Sequence, residues 1–307
     1  MGKDVNKMAW ISEETLLRLY GSSVSERRLE LITETLWGEK MTLETLSSFV
    51  EDTRRQVEEW KNRWLDEEYP YVYLIRGQLR RRGAGKVWKV PVLVALGVNT
   101  GGFREIIGFC KGGDGGAAGW LAFFRNLESR GLSGAKLFIS DDYPGLSEAC
   151  RQVFPKVKLQ RCLVDFSLGM FKLVPTENVK AVVEILSEVY AQADKTSALM
   201  EAKRAAAKLQ GMNLQKARQL LEKSTEEILA YMSFPEDHRK RLRTDNALER
   251  AMLVTLRRNA KPDYFPDDDM AVLSICVGLR HYCNKNWNKR YMNMTKATNE
   301  VYLSSVS

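Results

Sequence analysis

A mixed α/β fold carrying a large helical insertion is the architecture this 307-residue sequence predicts, on three observations. Tyr71-Val72-Tyr73-Leu74-Ile75, Val87 to Val98 and Phe103 to Phe109 have the β-branched and aromatic character of strands. From Gly131 to Gln160 strand and helix patterns alternate, which implies a sheet covered by helices. Residues 163 to 232 are dominated by Ala, Leu, Glu, Lys and Gln, a composition that forms helices throughout.

In chain order, residues 12 to 63 are helical in pattern. Leu16, Leu17, Leu19 and Tyr20 precede a Gly-Ser-Ser break, and Ser23 with Glu26 makes a capping box. Leu29, Ile32 and Leu36 form an apolar face that ends at Trp37-Gly38, and a second helix starts at Thr42 with Leu43, Leu46, Phe49, Val50, Val57 and Trp60. Helix, Gly-containing turn and helix make either a helix-turn-helix or an ordinary helical hairpin. Three strands follow, joined by Arg- and Gly-containing turns. Arg76, Arg80, Arg81, Arg82, Lys86 and Lys89 crowd the first turn, and no acidic residue lies between Tyr69 and Asn99. Such a loop suits phosphate tracking, or is a solvated loop. Gly112-Gly113-Asp114-Gly115-Gly116 lacks the Lys-Ser/Thr ending of a P-loop. Next come a helix burying Trp120, Leu121, Phe123, Phe124 and Leu127, the strand Leu137-Phe138-Ile139 ending at Asp141-Asp142, a helix to Phe154, and a strand from Val157 to Gln160.

Phe234-Pro235-Glu236-Asp237 breaks the helical insertion, and the basic cluster Arg239-Lys240-Arg241-Leu242-Arg243 follows. A helix from about Thr244 carries Asn246, Leu248, Glu249, Arg250, Arg257 and Arg258. Ala271 to Leu279 is apolar and is expected on the sheet, and the polar end after Asn284 is expected to be mobile. The expected division is a helical DNA-binding segment 1–65, a core of 66–162 and 240–283, a helical insertion 163–239 and a tail 284–307.

Lys and Arg number 47 against 39 Asp and Glu, a net +8, which favours a polyanionic partner. Five scattered cysteines without C-x-x-C spacing point to reduced thiols, and no apolar run is long enough to span a membrane. A cytoplasmic protein is expected. The two histidines, His238 and His281, sit in neither zinc nor nucleophile-elbow spacing.

Carboxylates at a strand exit and on a late helix, set in basic surroundings, suit Mg²⁺ held against phosphates. Paired ions about 4 Å apart activate a nucleophile and stabilise the leaving oxygen in phosphoryl transfer. Asp141 or Asp142 could equally cap the helix that follows.

Over about Ser25 to Ala271 the sequence resembles the Mutator-type transposases of bacterial insertion sequences. The landmarks stand in family order: Glu-Tyr-Pro-Tyr-Val-Tyr-Leu (68–74), Val-Ala-Leu-Gly-Val-Asn (94–99), Arg-Glu-Ile-Ile-Gly-Phe (104–109), Arg-Gly-Leu-Ser-Gly (130–134), Ile-Ser-Asp (139–141), Phe-Pro (154–155), Gln-Arg-Cys (160–162), Phe-Pro-Glu (234–236) and Asn-Ala-Leu-Glu-Arg (246–250). The resemblance implies a ribonuclease-H-like five-stranded mixed sheet and an Asp-Asp-Glu site holding Mg²⁺ or Mn²⁺. It makes Asp141 the second and Glu249 the third catalytic carboxylate, and Cys162, Asn246 and Arg250 family-motif residues. It further implies double-stranded DNA as partner, both element ends and target, a homodimer, and a place on the bacterial nucleoid. Arg80, Arg81, Arg82, Arg239, Lys240, Arg241, Arg243, Arg257 and Arg258 are the candidate DNA contacts.

The departures are specific. The family's first catalytic Asp follows Tyr-Val-Tyr-Leu, where this chain has Ile75, and its Cys-x-x-His is Cys162-Leu163-Val164-Asp165 here. The family's longer N-terminal region is expected to reduce to one helix-turn-helix. Asp66 precedes Ile75 by nine residues, roughly 30 Å along an extended strand, and so cannot replace the missing Asp. Asp165 is the better substitute ligand and Asp142 the other. The expected protein is a Mutator-family transposase, or a DNA-binding derivative of one, with impaired catalysis. The alternatives are an active strand transferase using Asp165 or Asp142, and a basic helical scaffold for protein partners.

Overall fold

A computed structural model gives the fold and describes residues 13–21, 24–83, 86–112, 116–246, 248, 263–265 and 267–295. At the N-terminus lie helices α1 (Glu13–Gly21), α2 (Glu26–Trp37) and α3 (Leu43–Asn62). Thr42 caps α3 by accepting from the Thr45 amide at 3.1 Å. The N-cap of α2 is Ser25 and makes no side-chain cap bond; Ser23, expected in that role, lies outside the described residues.

The sheet comprises β1 (Tyr71–Gly83), β2 (Lys86–Val98), β3 (Arg104–Lys111), β4 (Leu137–Ser140) and β5 (Lys158–Arg161) in the order β3-β2-β1-β4-β5. The first three pair antiparallel, and β4 and β5 run parallel to β1. This is the mixed five-stranded sheet expected of a ribonuclease-H-like core, and a two-residue strand β6 (Asp263–Tyr264) adds to the far end of β1.

β1 alternates its side chains between two cores, as a period of two requires. Val72 and Leu74 face Trp120, Phe123, Phe124 and Phe138, beneath α4 (Ala117–Ser129) and α5 (Leu146–Val153). Tyr71, Tyr73 and Ile75 face the opposite core, with α3, the helices α6 (Leu163–Phe171), α7 (Val179–Tyr190), α8 (Lys195–Gly211) and α9 (Gln215–Ile228), and α11 (Asp268–Asn286). Met270 to Leu279 of α11 are all buried, which explains the unbroken apolar run.

Two expectations are corrected. The Arg-rich stretch is not a turn: Arg80 and Arg81 lie in β1 opposite Lys89 and Trp88, because β1 and β2 pair along their whole lengths. The segment after Asn284 is packed through residue 295: Trp287, Met292 and Met294 are buried, and the Tyr291 amide donates to the Gly102 carbonyl at 2.7 Å.

Candidate metal centre at the carboxyl end of the sheet

The register Tyr71↔Leu137, Val72↔Phe138, Tyr73↔Ile139, carried on by two residues, sets Ile75 level with Asp141. Leu137 and Ile139 belong to the core that includes Tyr73 and Ile75, so the alternation also puts Asp141 on Ile75's face. β4 ends at Ser140, and the turn beyond it is closed by the Tyr143 amide on the Asp141 carbonyl at 3.0 Å. The Tyr143 ring stacks on Trp120 with centroids 5.6 Å apart, and its hydroxyl donates to Asp141 Oδ2 at 3.4 Å. Burial, with the Asp141 charge adding to it, pushes the Tyr143 hydroxyl pKa upward, so it stays a donor.

The chain returns to this point after the helical insertion through α10 (Glu236–Leu242). The two tyrosines of the Tyr-Val-Tyr landmark fasten it to the sheet. Tyr71 bonds His238 Nδ1 at 2.9 Å, and the Tyr73 hydroxyl donates to the Arg241 carbonyl at 2.9 Å. His238 Nε2 lies 2.8 Å from the Asn293 carbonyl, so Nε2 carries the proton and Nδ1 accepts from Tyr71. The Leu163 amide then holds the Arg243 carbonyl at 2.9 Å, and two residues on Asp245 enters the core only 3% exposed.

Asp245 meets Cys162, the residue before α6, whose amide donates to the Ser140 carbonyl at 2.7 Å. Asp141, Cys162 and Asp245 each offer one ligand-type atom, all within 4.8 Å of one another. A divalent ion bonded at about 2.0–2.3 Å spans donors roughly 4 Å apart, so the donor set fits one such ion after a slight closing. Burial first, and the Asp245 charge second, push the Cys162 thiol up to about 12. Asp245 escaped the sequence reading because an Asp ahead of a helix reads as a cap; its place beside Asn-Ala-Leu-Glu-Arg was the available signal.

The other predicted carboxylates are occupied differently. Arg161, 8% exposed, binds Asp142 Oδ2 at 3.1 Å and Asp165 Oδ2 at 3.0 Å, and donates to Ser224 Oγ at 3.2 Å. Neither Asp142 nor Asp165 belongs to the three-donor group. Gln160 next door ties β5 to the insertion, donating to the Ile228 carbonyl at 3.1 Å and accepting from the Tyr231 amide at 2.7 Å.

The basic candidates also divide. Arg80, Lys240, Arg241 and Arg243 are exposed. Arg81 pairs with Asp268 and lies 5.6 Å over Trp88, and Arg239 donates to the carbonyls of Phe234 and Ala193. Asn246 is exposed near the site; Glu249, Arg250, Arg257, Arg258 and the Arg82 side chain lie outside the described residues.

Residues 9–290 match the family described as "Transposase, Mutator family". The chain is 33% identical over 250 residues to a transposase for insertion sequence element IS1081 from Mycobacterium tuberculosis, covering 81% of this chain and 60% of that protein. It is 32% identical over 288 residues to the transposase for IS256 in transposon Tn4001 of Staphylococcus aureus, covering 92% of this chain and 73% of that one. Among solved structures, the Drosophila P element transposase strand transfer complex shares 10% identity at a TM-score of 0.32, too low to argue from. The chain thus spans 60% of the IS1081 protein's length. Among the described residues no helix is long and apolar enough to cross a membrane.

Proposed function

Because the chain belongs to the Mutator family of transposases, we propose that it is a transposase-type DNA-recombining protein. In this reading it binds duplex DNA and a divalent cation at the carboxyl end of β4, and its strand cleavage and joining in Mg²⁺ are weakened. The observation that carries the weakening is Ile75, level with Asp141 where the family resemblance expects a carboxylate. An alkyl side chain cannot ligate a metal, and two-metal phosphoryl transfer normally draws on at least three carboxylates. Asp141, together with Glu249 by resemblance, would hold the ion; the bound ion supplies charge neutralisation at phosphate and an activated water or 3′-hydroxyl. Asp141's own part is to anchor that ion at a rigid strand end, with Tyr143 fixing the carboxylate's orientation. The exposed Arg80, Lys240, Arg241 and Arg243 would neutralise backbone phosphates. A homodimer on the element ends and the division into DNA-binding segment, core, insertion and tail belong to the same reading.

The test is strand cleavage and joining on duplexes carrying candidate element ends. Wild type should show little product in Mg²⁺ and Ile75→Asp substantially more. Full cleavage by wild type in Mg²⁺, abolished by Asp141→Asn, would overturn the impaired reading.

A further inference from the structure

Cys162 and Asp245 have no role in the function just described, yet their donors gather within 4.8 Å of Asp141's. We infer that Asp141, Asp245 and Cys162 together form one divalent-cation site of mixed carboxylate–thiolate character, selective for thiophilic and borderline ions such as Co²⁺ or Zn²⁺ over Mg²⁺. This rests on the reading above in setting a cation beside Asp141, and it deepens it by naming the other ligands and the class of ion.

The geometry is built from three separate parts of the chain. Asp141 leaves β4, Cys162 leaves β5, and Asp245 is brought back from beyond the insertion by the Tyr73–Arg241 and Leu163–Arg243 bonds. The Asp245 carbonyl accepts from the Leu248 amide at 2.9 Å. Its carboxylate lies against the Cys162 thiol, which donates to it, while the main-chain amides of Asp165 and Asp245 point at the sulfur. The three donors already lie within 4.8 Å of one another. A metal-bound sulfur is a thiolate, so binding breaks the S–H bond, forms a metal–sulfur bond and releases one proton to the buffer. Mg²⁺ prefers oxygen and sheds its water reluctantly, so it gains little from such a set, whereas thiolate draws softer ions. Asp245 thus partly makes up for the carboxylate absent at Ile75, with a change of metal preference as the consequence.

Co²⁺ alone is the probe, titrated into the full chain without chelator. The expected result on wild type is a near-ultraviolet thiolate-to-cobalt band saturating at one ion per chain, with about one proton released per ion and no displacement by a hundredfold excess of Mg²⁺. Cys162→Ser should lose the band, Asp245→Asn should lower Co²⁺ affinity at least tenfold, and Cys276→Ser, far along α11, should leave both unchanged. No band in wild type, a band that survives Cys162→Ser, or ready displacement by Mg²⁺ would overturn the site. The wild-type spectrum and proton count decide the matter even if a variant fails to fold. If the band is present but the chain neither binds nor cuts duplex DNA, the recombination reading falls and the cation site stands. DNA recombination in Mg²⁺ with no cobalt band gives the converse.

Discussion

Asp141 and Asp142 are adjacent in sequence, and the fold sends them to different clusters within one turn of chain. Asp142 joins Asp165 on the Arg161 guanidinium, where two carboxylates face one buried cation. Asp141 turns toward Cys162 and Asp245, where the neighbours are themselves metal-ligand types. The same split recurs at the basic end: Arg81 is taken up by Asp268 and Trp88, while Arg80 is exposed. Adjacent residues of like charge therefore divide into one that holds the fold and one that is left for the ligand proposed above. The period of the strand and the next partner in space decide which is which.

The largest break in this comparison should come from Arg161→Met. It leaves Asp142 and Asp165 together without their cation and orphans Ser224 Oγ, at a cost of about 1–2 kcal/mol, less than for a buried pair because Asp142 is exposed and Asp165 partly so. Chemical denaturation should show that loss with the metal response retained. Ile75→Asp comes next. Adding a charge at a position 8% exposed and level with Asp141 should cost about 2 kcal/mol in chelator and be recovered in excess Mn²⁺. Melting with and without the ion checks it, and a variant equally stable in both conditions would show that the new carboxylate does not reach the metal.

Smaller effects should separate the paired arginines. Arg80→Ala should flatten the salt dependence of duplex binding by about 0.9 log unit per log unit of salt for each phosphate no longer neutralised, leaving the melting temperature alone. Arg81→Ala should chiefly lower the melting temperature. The smallest effect concerns pH. The Arg81 hydrogen bond first, then Lys111, holds the Asp268 carboxyl below its usual value. A depressed folded-state pKa contributes stability that is present above the unfolded value, near 3.9, and is lost as pH falls through the folded value. Asp268→Asn should therefore cost at most about 1 kcal/mol at neutral pH, with wild type and variant converging below pH 4.

Much of this was legible in the sequence. The Tyr-Val-Tyr-Leu-Ile and Leu-Phe-Ile-Ser-Asp strands announced themselves by apolar runs and turn chemistry, and their adjacency puts Ile75 beside Asp141 as expected. The length of β1 was not legible, because its second half, Arg76 to Gly83, is stabilised by cross-strand pairing with β2 rather than by its own apolar content. Nor was the packing of the final segment, whose polar sequence conceals anchors such as the Tyr291 and Asn293 backbones. At the site, Asp165 looked like the substitute ligand because the resemblance puts the family's His there, but Arg161, at the end of β5, takes up its carboxylate. Asp245 returns from more than 80 residues beyond Cys162, and its place directly before Asn-Ala-Leu-Glu-Arg was the one local hint of that long-range juxtaposition.

The division of labour between the two aspartates is tested most directly by Mn²⁺-dependent melting of Asp141→Asn and Asp142→Asn. Wild type should gain about 2.7 kcal/mol at a hundredfold excess over Kd. Asp142→Asn should keep that gain and lose about 1 kcal/mol or less without metal, and Asp141→Asn should abolish the gain. An undiminished Mn²⁺ response in Asp141→Asn, or its loss in Asp142→Asn, would contradict the account.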